Sequence, residues 1–100
     1  MMRIFHGSGS FLTGSDLGEA LLLYANALTV LRQSDTVAML VVDEQGRRHN
    51  AAVVVGYGSP VVGVPAHVVG GELVDPLRLD VMRRRTNDLL APIAESRLVR

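Results

Sequence analysis

One hundred residues suffice for one domain with its own core, and a hydrophobic share of 48% with a mean hydropathy of +0.27 excludes a disordered tail. Ten arginines balance ten aspartates and glutamates, so no overall field draws the chain to nucleic acid or to an anionic membrane. Lysine and cysteine are both absent, which excludes Schiff-base and thiol chemistry, thiolate metal sites and disulfides.

The chain opens with "MRIF", a short strand candidate, followed by the glycine-rich stretch His6 to Asp16. That stretch has the glycine spacing of a phosphate loop between Gly9 and Gly14. Ser15 stands where the loop's lysine belongs, however, and Asp16 stands where its metal-binding hydroxyl belongs. The dinucleotide pattern fails as well, because Leu12 occupies the place of its third glycine. The expected role is a turn and a helix cap. From Ser15 the pattern becomes helical, with Leu17, Leu21, Tyr24, Leu28 and Leu31 at steps of three and four. Ser15 or Thr13 is expected to cap this helix, and Gln33-Ser34-Asp35 to end it. Leu22, Leu23 and Val30 widen the apolar face, so the helix needs cover on more than one side.

Two valine-rich runs around Glu44-Gln45-Gly46-Arg47 predict a hairpin, with Gly46 supplying a positive φ. A third run, Val61 to Val69, contains Pro65 and predicts an edge strand. Asp75-Pro76 predicts an N-cap with proline at the first helical position. The helix it opens carries Leu79, Met82, Thr86, Leu89 and Leu90 on one face and is expected to stop at Pro92. The expected fold is a small α+β domain spanning 1–100, in the order β-α-β-β-β-α. Its sheet is an antiparallel three-stranded meander with the first helix packed on one face.

A two-residue turn at Gln45-Gly46 sets Asp43 opposite Arg48, Val42 opposite His49 and Ala38 opposite Val53. A matching turn at Gly58-Ser59 sets Val64 opposite Val53 and His67 opposite Asn50. Ala38, Leu40, Val42, His49, Ala51, Val53, Val55, Val62, Val64 and Ala66 then form the face that receives the helix. Val37, Met39 and Val41 lie on a second apolar face, bordered by Asp43, Arg48, Asn50 and His67. A one-residue slip would exchange these faces.

Four features invite chemistry. Asp43, Arg48, Asn50 and His67 form a candidate ligand cluster, with His67 as base and Arg48 as anion clamp. Arg78, Arg83, Arg84 and Arg85 are candidate anion-binding residues, although Asp80 and Asp88 lie at helical pairing distance from the run. His6, His49 and His67 lack metal-ligand spacing, so no metal or cofactor is expected. Leu22, Leu23, Val30, Val37, Met39 and Val41 are candidate dimer-interface residues. With only four aromatics, base stacking finds few platforms, so nucleic acid is not an expected partner.

The N-terminal "MMRIFHG" lacks the apolar core of a secretory signal, and the region Leu17 to Leu31 is too interrupted to span a bilayer. A cytoplasmic protein with no membrane partner is therefore expected. The functional expectation is a non-enzymatic, self-associating interaction domain, a homodimer that also accepts another protein partner. A weak polyanion binder using the arginine run and a small-ligand or hydrolytic site at the Asp43 cluster are the alternatives.

Overall fold

The computed structural model describes residues 1–68 and 70–98, with side chains described through Pro92. Its elements are β1 (Met2–His6), β2 (Gly9–Thr13), α1 (Ser15–Val30), β3 (Ser34–Val42), β4 (Arg48–Gly56), β5 (Val61–Pro65) and α2 (Pro76–Leu98). The fold is α+β, as the sequence indicates, but with one strand more than expected. The glycine-rich stretch is a hairpin: Gly7, at φ +58, opens a two-residue turn, and β2 returns along β1 from His6↔Gly9 to Met2↔Thr13.

All five strands form one antiparallel sheet in the order β4-β3-β2-β1-β5. The expected meander is therefore corrected, because β5 leaves β4 and pairs with β1, from His6↔Val61 to Met2↔Pro65. Gly56, at φ +115, turns the chain at the end of β4. A Cβ there would lie 2.4 Å from the carbonyl oxygen of Gln33, so only glycine fits this close approach. β5 remains an edge strand, in keeping with Pro65, and it ends there; Val69 lies outside the described residues.

The two edges of the sheet approach each other. In a flat sheet β4 and β5 would stand roughly 19 Å apart, at about 4.8 Å per strand. Here residues Tyr57 to Pro60 join them, and His6 Nε2 lies 2.6 Å from the carbonyl oxygen of Val54. The sheet is thus rolled. Its two ladders meet only at Leu12↔Val42, where the Thr13 hydroxyl donates to the Leu40 carbonyl at 2.8 Å.

The register of the central hairpin is Val42↔Arg48, Val41↔His49 and Ala38↔Ala52, one residue from the expected pairing. The loop holds three residues, Glu44 to Gly46, with Gly46 at φ +79. Asp43 closes it: its backbone N–H donates to the Arg47 carbonyl, and its carboxylate accepts the N–H groups of Gln45 and Arg47. A left-handed glycine after a turn is the usual solution for a three-residue hairpin loop. The slip turns Val37, Met39 and Val41 inward beside Val53 and Val55.

α1 lies on this inner face. Leu17, Leu21, Tyr24 and Leu28 are buried against Ile4, Met39 and Val55, as the three-and-four spacing predicts. α1 ends at Val30, before the expected stop, because Arg32 adopts φ +55 and Gln33 N–H bonds back to the Leu28 carbonyl. α2 packs chiefly on α1 and inserts Met82 into the core, with Leu79 and Leu89 partly buried beside it. Its N-cap is as expected, with Asp75 accepting the Arg78 N–H. Pro92 does not end it; the helix continues to Leu98. An interior proline forfeits one backbone bond, and the Ala, Glu, Arg and Leu residues after it favour helix.

A strap of residues before α2 locks the start of α1. The N-cap is Gly14, which has no side chain, so Glu72 caps in its place, accepting the Ser15 N–H at 2.8 Å and the Met1 amino group at 3.1 Å. The Ser15 N–H, and then the Met1 amino group, hold the Glu72 carboxyl below its ordinary pKa. A depressed folded-state pKa contributes stability above about pH 4.5 that is lost as pH falls through the lower folded value. The melting temperature should therefore fall more steeply below pH 4.5 in the wild type than in Glu72→Gln, which should start lower at neutral pH. Superimposable pH profiles would remove the cap from the account.

Candidate functional site

Because α1 covers the inner face and α2 packs on α1, the outward positions of the strands form the candidate surface. They are Arg3 and Phe5 on β1, Ser10 and Leu12 on β2, Leu40 and Val42 on β3, Ala52 and Val54 on β4, and Val62 and Val64 on β5. Phe5 is 44% exposed and its cross-strand neighbour Val62 58% exposed; Val54 and Val64 are exposed too. Among the described residues the one helical side chain bonded to this side is Arg78, whose guanidinium donates to Asn50 Oδ1 at 2.6 Å. The face holds Arg3, which donates to Ser10, and Arg48 at its border, with no carboxylate. Long arginine stems can lie over apolar surface while their heads reach its rim.

Of the six interface candidates, three are corrected. Val37, Met39 and Val41 are 4%, 0% and 6% exposed, because the register places them in the core. Leu22 is half-buried over β5, close enough that a Cβ at Gly63 would meet its methyl group at 2.8 Å. Leu23 and Val30 remain exposed on the outer side of α1.

The candidate ligand cluster is dispersed. Asp43 bonds His49 at 2.6 Å and is occupied by its own loop. The Arg47 N–H foremost, and His49 after it, hold its carboxyl below the ordinary range. Arg48 is exposed at the start of β4, Asn50 is taken by Arg78, and His67 follows β5 on the opposite edge of the sheet. The arginine candidates also separate. Arg78 pairs with Asp75 at 3.5 Å, Arg84 with Asp80, and Arg85 with Asp35 at 3.2 Å. Arg83 instead lines a cleft between the helices with Leu23, Thr86 and Asn87.

Comparison with protein-family models, curated proteins and solved structures finds no match for the chain. Its function must be read from its surfaces. Among the described residues no group of histidine and carboxylate side chains is placed to hold a metal ion. A cleft of about 380 Å³ between the turns contains His6 and Ser59, but the Nε2 of His6 is bonded to the Val54 carbonyl rather than to a hydroxyl. No described helix is long and apolar enough to cross a membrane.

The signal for the outward face was present in the sequence as alternation. Val62 and Val64 alternate with Val61 and Gly63, and Phe5 alternates with Ile4. What the sequence lacked was the partner of β5, without which these residues could not be assigned to one surface.

Proposed function

We propose that this chain is a non-enzymatic, self-associating interaction domain whose homodimer forms through the outward face of the sheet. The observation that carries the reading is the uncovered apolar group around Phe5, Val62 and Val64, continued by Leu12, Leu40 and Val42. A stable dimer needs about 800 Å² from each partner. The cysteine-free composition suits the cytoplasm as its compartment.

Sedimentation equilibrium at micromolar concentration should give twice the 10.8 kDa chain mass. Phe5→Glu combined with Val62→Glu should give the monomer with its circular dichroism unchanged, since both side chains are solvent-facing. Leu23→Glu combined with Val30→Glu, on the outer side of α1, should leave the dimer intact. A wild type that is monomeric throughout, or a dimer that survives the sheet pair and fails with the helix pair, overturns this surface.

A further inference from the structure

The rolled sheet leaves a strand edge open in its middle. Backbone bonds join Asp43 to Arg47 and Tyr57 to Gln33 at the two ends of the β3–β4 ladder. Antiparallel pairs alternate between bonded and non-bonded, so Asp35, Val37, Met39 and Val41 spend their backbone groups on β4. The even residues point the other way, toward the side where β2 arrives only at Val42. Two contacts confirm the phase. Thr13 Oγ1 donates to the Leu40 carbonyl, and the Thr36 N–H is taken by Asp35 Oδ1. The N–H and C=O of Ala38, the C=O of Thr36 and the N–H of Leu40 have no partner among the described residues.

α2 runs beside this edge but stands off from it, leaving a cleft of about 170 Å³. Val37 and Ala38 form its strand side; Leu77, Val81 and Met82 form an apolar helix side. Leu77 is 80% exposed, an unusual position for a leucine with nothing to cover it. The charged residues of the lining are Arg78 and Arg85, with no carboxylate among them. They stand seven residues apart, roughly 10 Å along the helix axis. Each uses only part of its five-donor fork on Asp75, Asn50 or Asp35.

We propose that this cleft is a strand-addition site for an extended acidic–apolar peptide segment of another protein. The segment pairs with Ala38, places an alternate apolar side chain against Leu77 and Val81, and sets a carboxylate on either side toward Arg78 and Arg85. Strand addition takes its affinity from main-chain bonds and its specificity from alternate side chains, which is what an open edge beside a helix offers. The site borders the sheet face proposed for the dimer, since Ala38 and Leu40 lie on that side of β3, but its apolar wall is α2 and the centre of the dimer face is the β1–β5 pair.

The probes are capped five-residue peptides in which Val or Leu alternates with Thr between terminal glutamates, with terminal-lysine versions as controls. Titrated into the ¹⁵N-labelled full chain, the acidic set should bind saturably and slow amide exchange at Ala38 and Leu40 at least about tenfold, the lysine set binding at least about tenfold more weakly, near 1.4 kcal/mol. Leu77→Asp, an exposed change, should weaken the acidic peptides by a similar factor. Ala38→Pro deletes an N–H that no ladder uses, so it should abolish peptide binding and keep fold and dimer, and the Phe5/Val62 glutamate pair should still bind peptide. If Ala38→Pro does not fold, wild-type exchange at Ala38 decides. Failure of every acidic peptide to protect Ala38, equal binding of the lysine set, or unchanged binding by Ala38→Pro overturns the proposal. Loss of the dimer in a folded Ala38→Pro does so too, by assigning the edge to a second copy.

Discussion

Gly14→Val should destabilise the chain by about 3–4 kcal/mol, one of the largest effects a single change outside the core could have here. The backbone at Gly14 is ordinary, at φ −62 and ψ 150, so conformational freedom is not what requires glycine. Space is. A Cβ would stand 1.8 Å from the carbonyl oxygen of Leu73, an overlap that only displacement of the strap relieves. Leu73 is 3% exposed, so lifting it forfeits about 2–3 kcal/mol of apolar burial. The Glu72 bond to the Ser15 N–H goes with it, and losing a helix cap costs about 1 kcal/mol. For a chain of this size the melting temperature should drop by about 12 °C or more. Gly71→Ala, in the same strap with open space around it, should change it little. A Gly14→Val protein that melts within about 4 °C of wild type would show that the strap is not fixed by this contact.

Gly7 thus serves a turn and Gly14 a close approach, so the stretch shares a phosphate loop's spacing and not its chemistry. Much of the fold was legible because local physics dominates it. The spacing of Leu17, Leu21, Tyr24 and Leu28 could only be buried as one helical face, and Asp75-Pro76 could only open a helix. Three features were not legible. β2 begins with Gly9 and Ser10, and its strand character comes from β1 rather than from its own residues. The β3–β4 register depended on whether Asp43 would bridge its loop, which moved Val37, Met39 and Val41 from a candidate interface into the core. The choice of β1 over β4 as partner of β5 is a long-range contact, set by the turn at Gly56 and the five-residue ladder it makes available. The dispersed Asp43 cluster is the direct result of those last two points.

Asp35→Ala should cost about 2–3 kcal/mol, through a buried hydroxyl rather than through a salt bridge. Asp35 accepts the Tyr24 hydroxyl at 2.6 Å and an Arg85 N–H at 3.2 Å, so one carboxylate ties α1, β3 and α2 together. Tyr24 is 4% exposed, and stranding its O–H forfeits about 1–3 kcal/mol. The Arg85 contact is half-exposed, and such pairs contribute about 0–1 kcal/mol. Tyr24→Phe removes the donor and leaves a partly exposed Asp35 carboxylate that Arg85 and water can serve, so it should cost only about 1 kcal/mol. In the double variant the second change should add little, a coupling of about 1 kcal/mol or more, as groups in one network show. The same contact carries a pH signature. Burial first, then the Asp35 bond and charge, raises the Tyr24 pKa above 10.0, with Arg85 opposing. A raised folded-state value gives stability that is complete below pH 10 and lost as pH rises through the folded pKa. Urea midpoints should therefore fall above pH 10 in the wild type, and fall less in Tyr24→Phe. Additive single-variant costs, together with identical alkaline profiles, would mean that the carboxylate merely sits near the hydroxyl. A measured coupling would make Asp35 the pin that holds α1 against the start of β3.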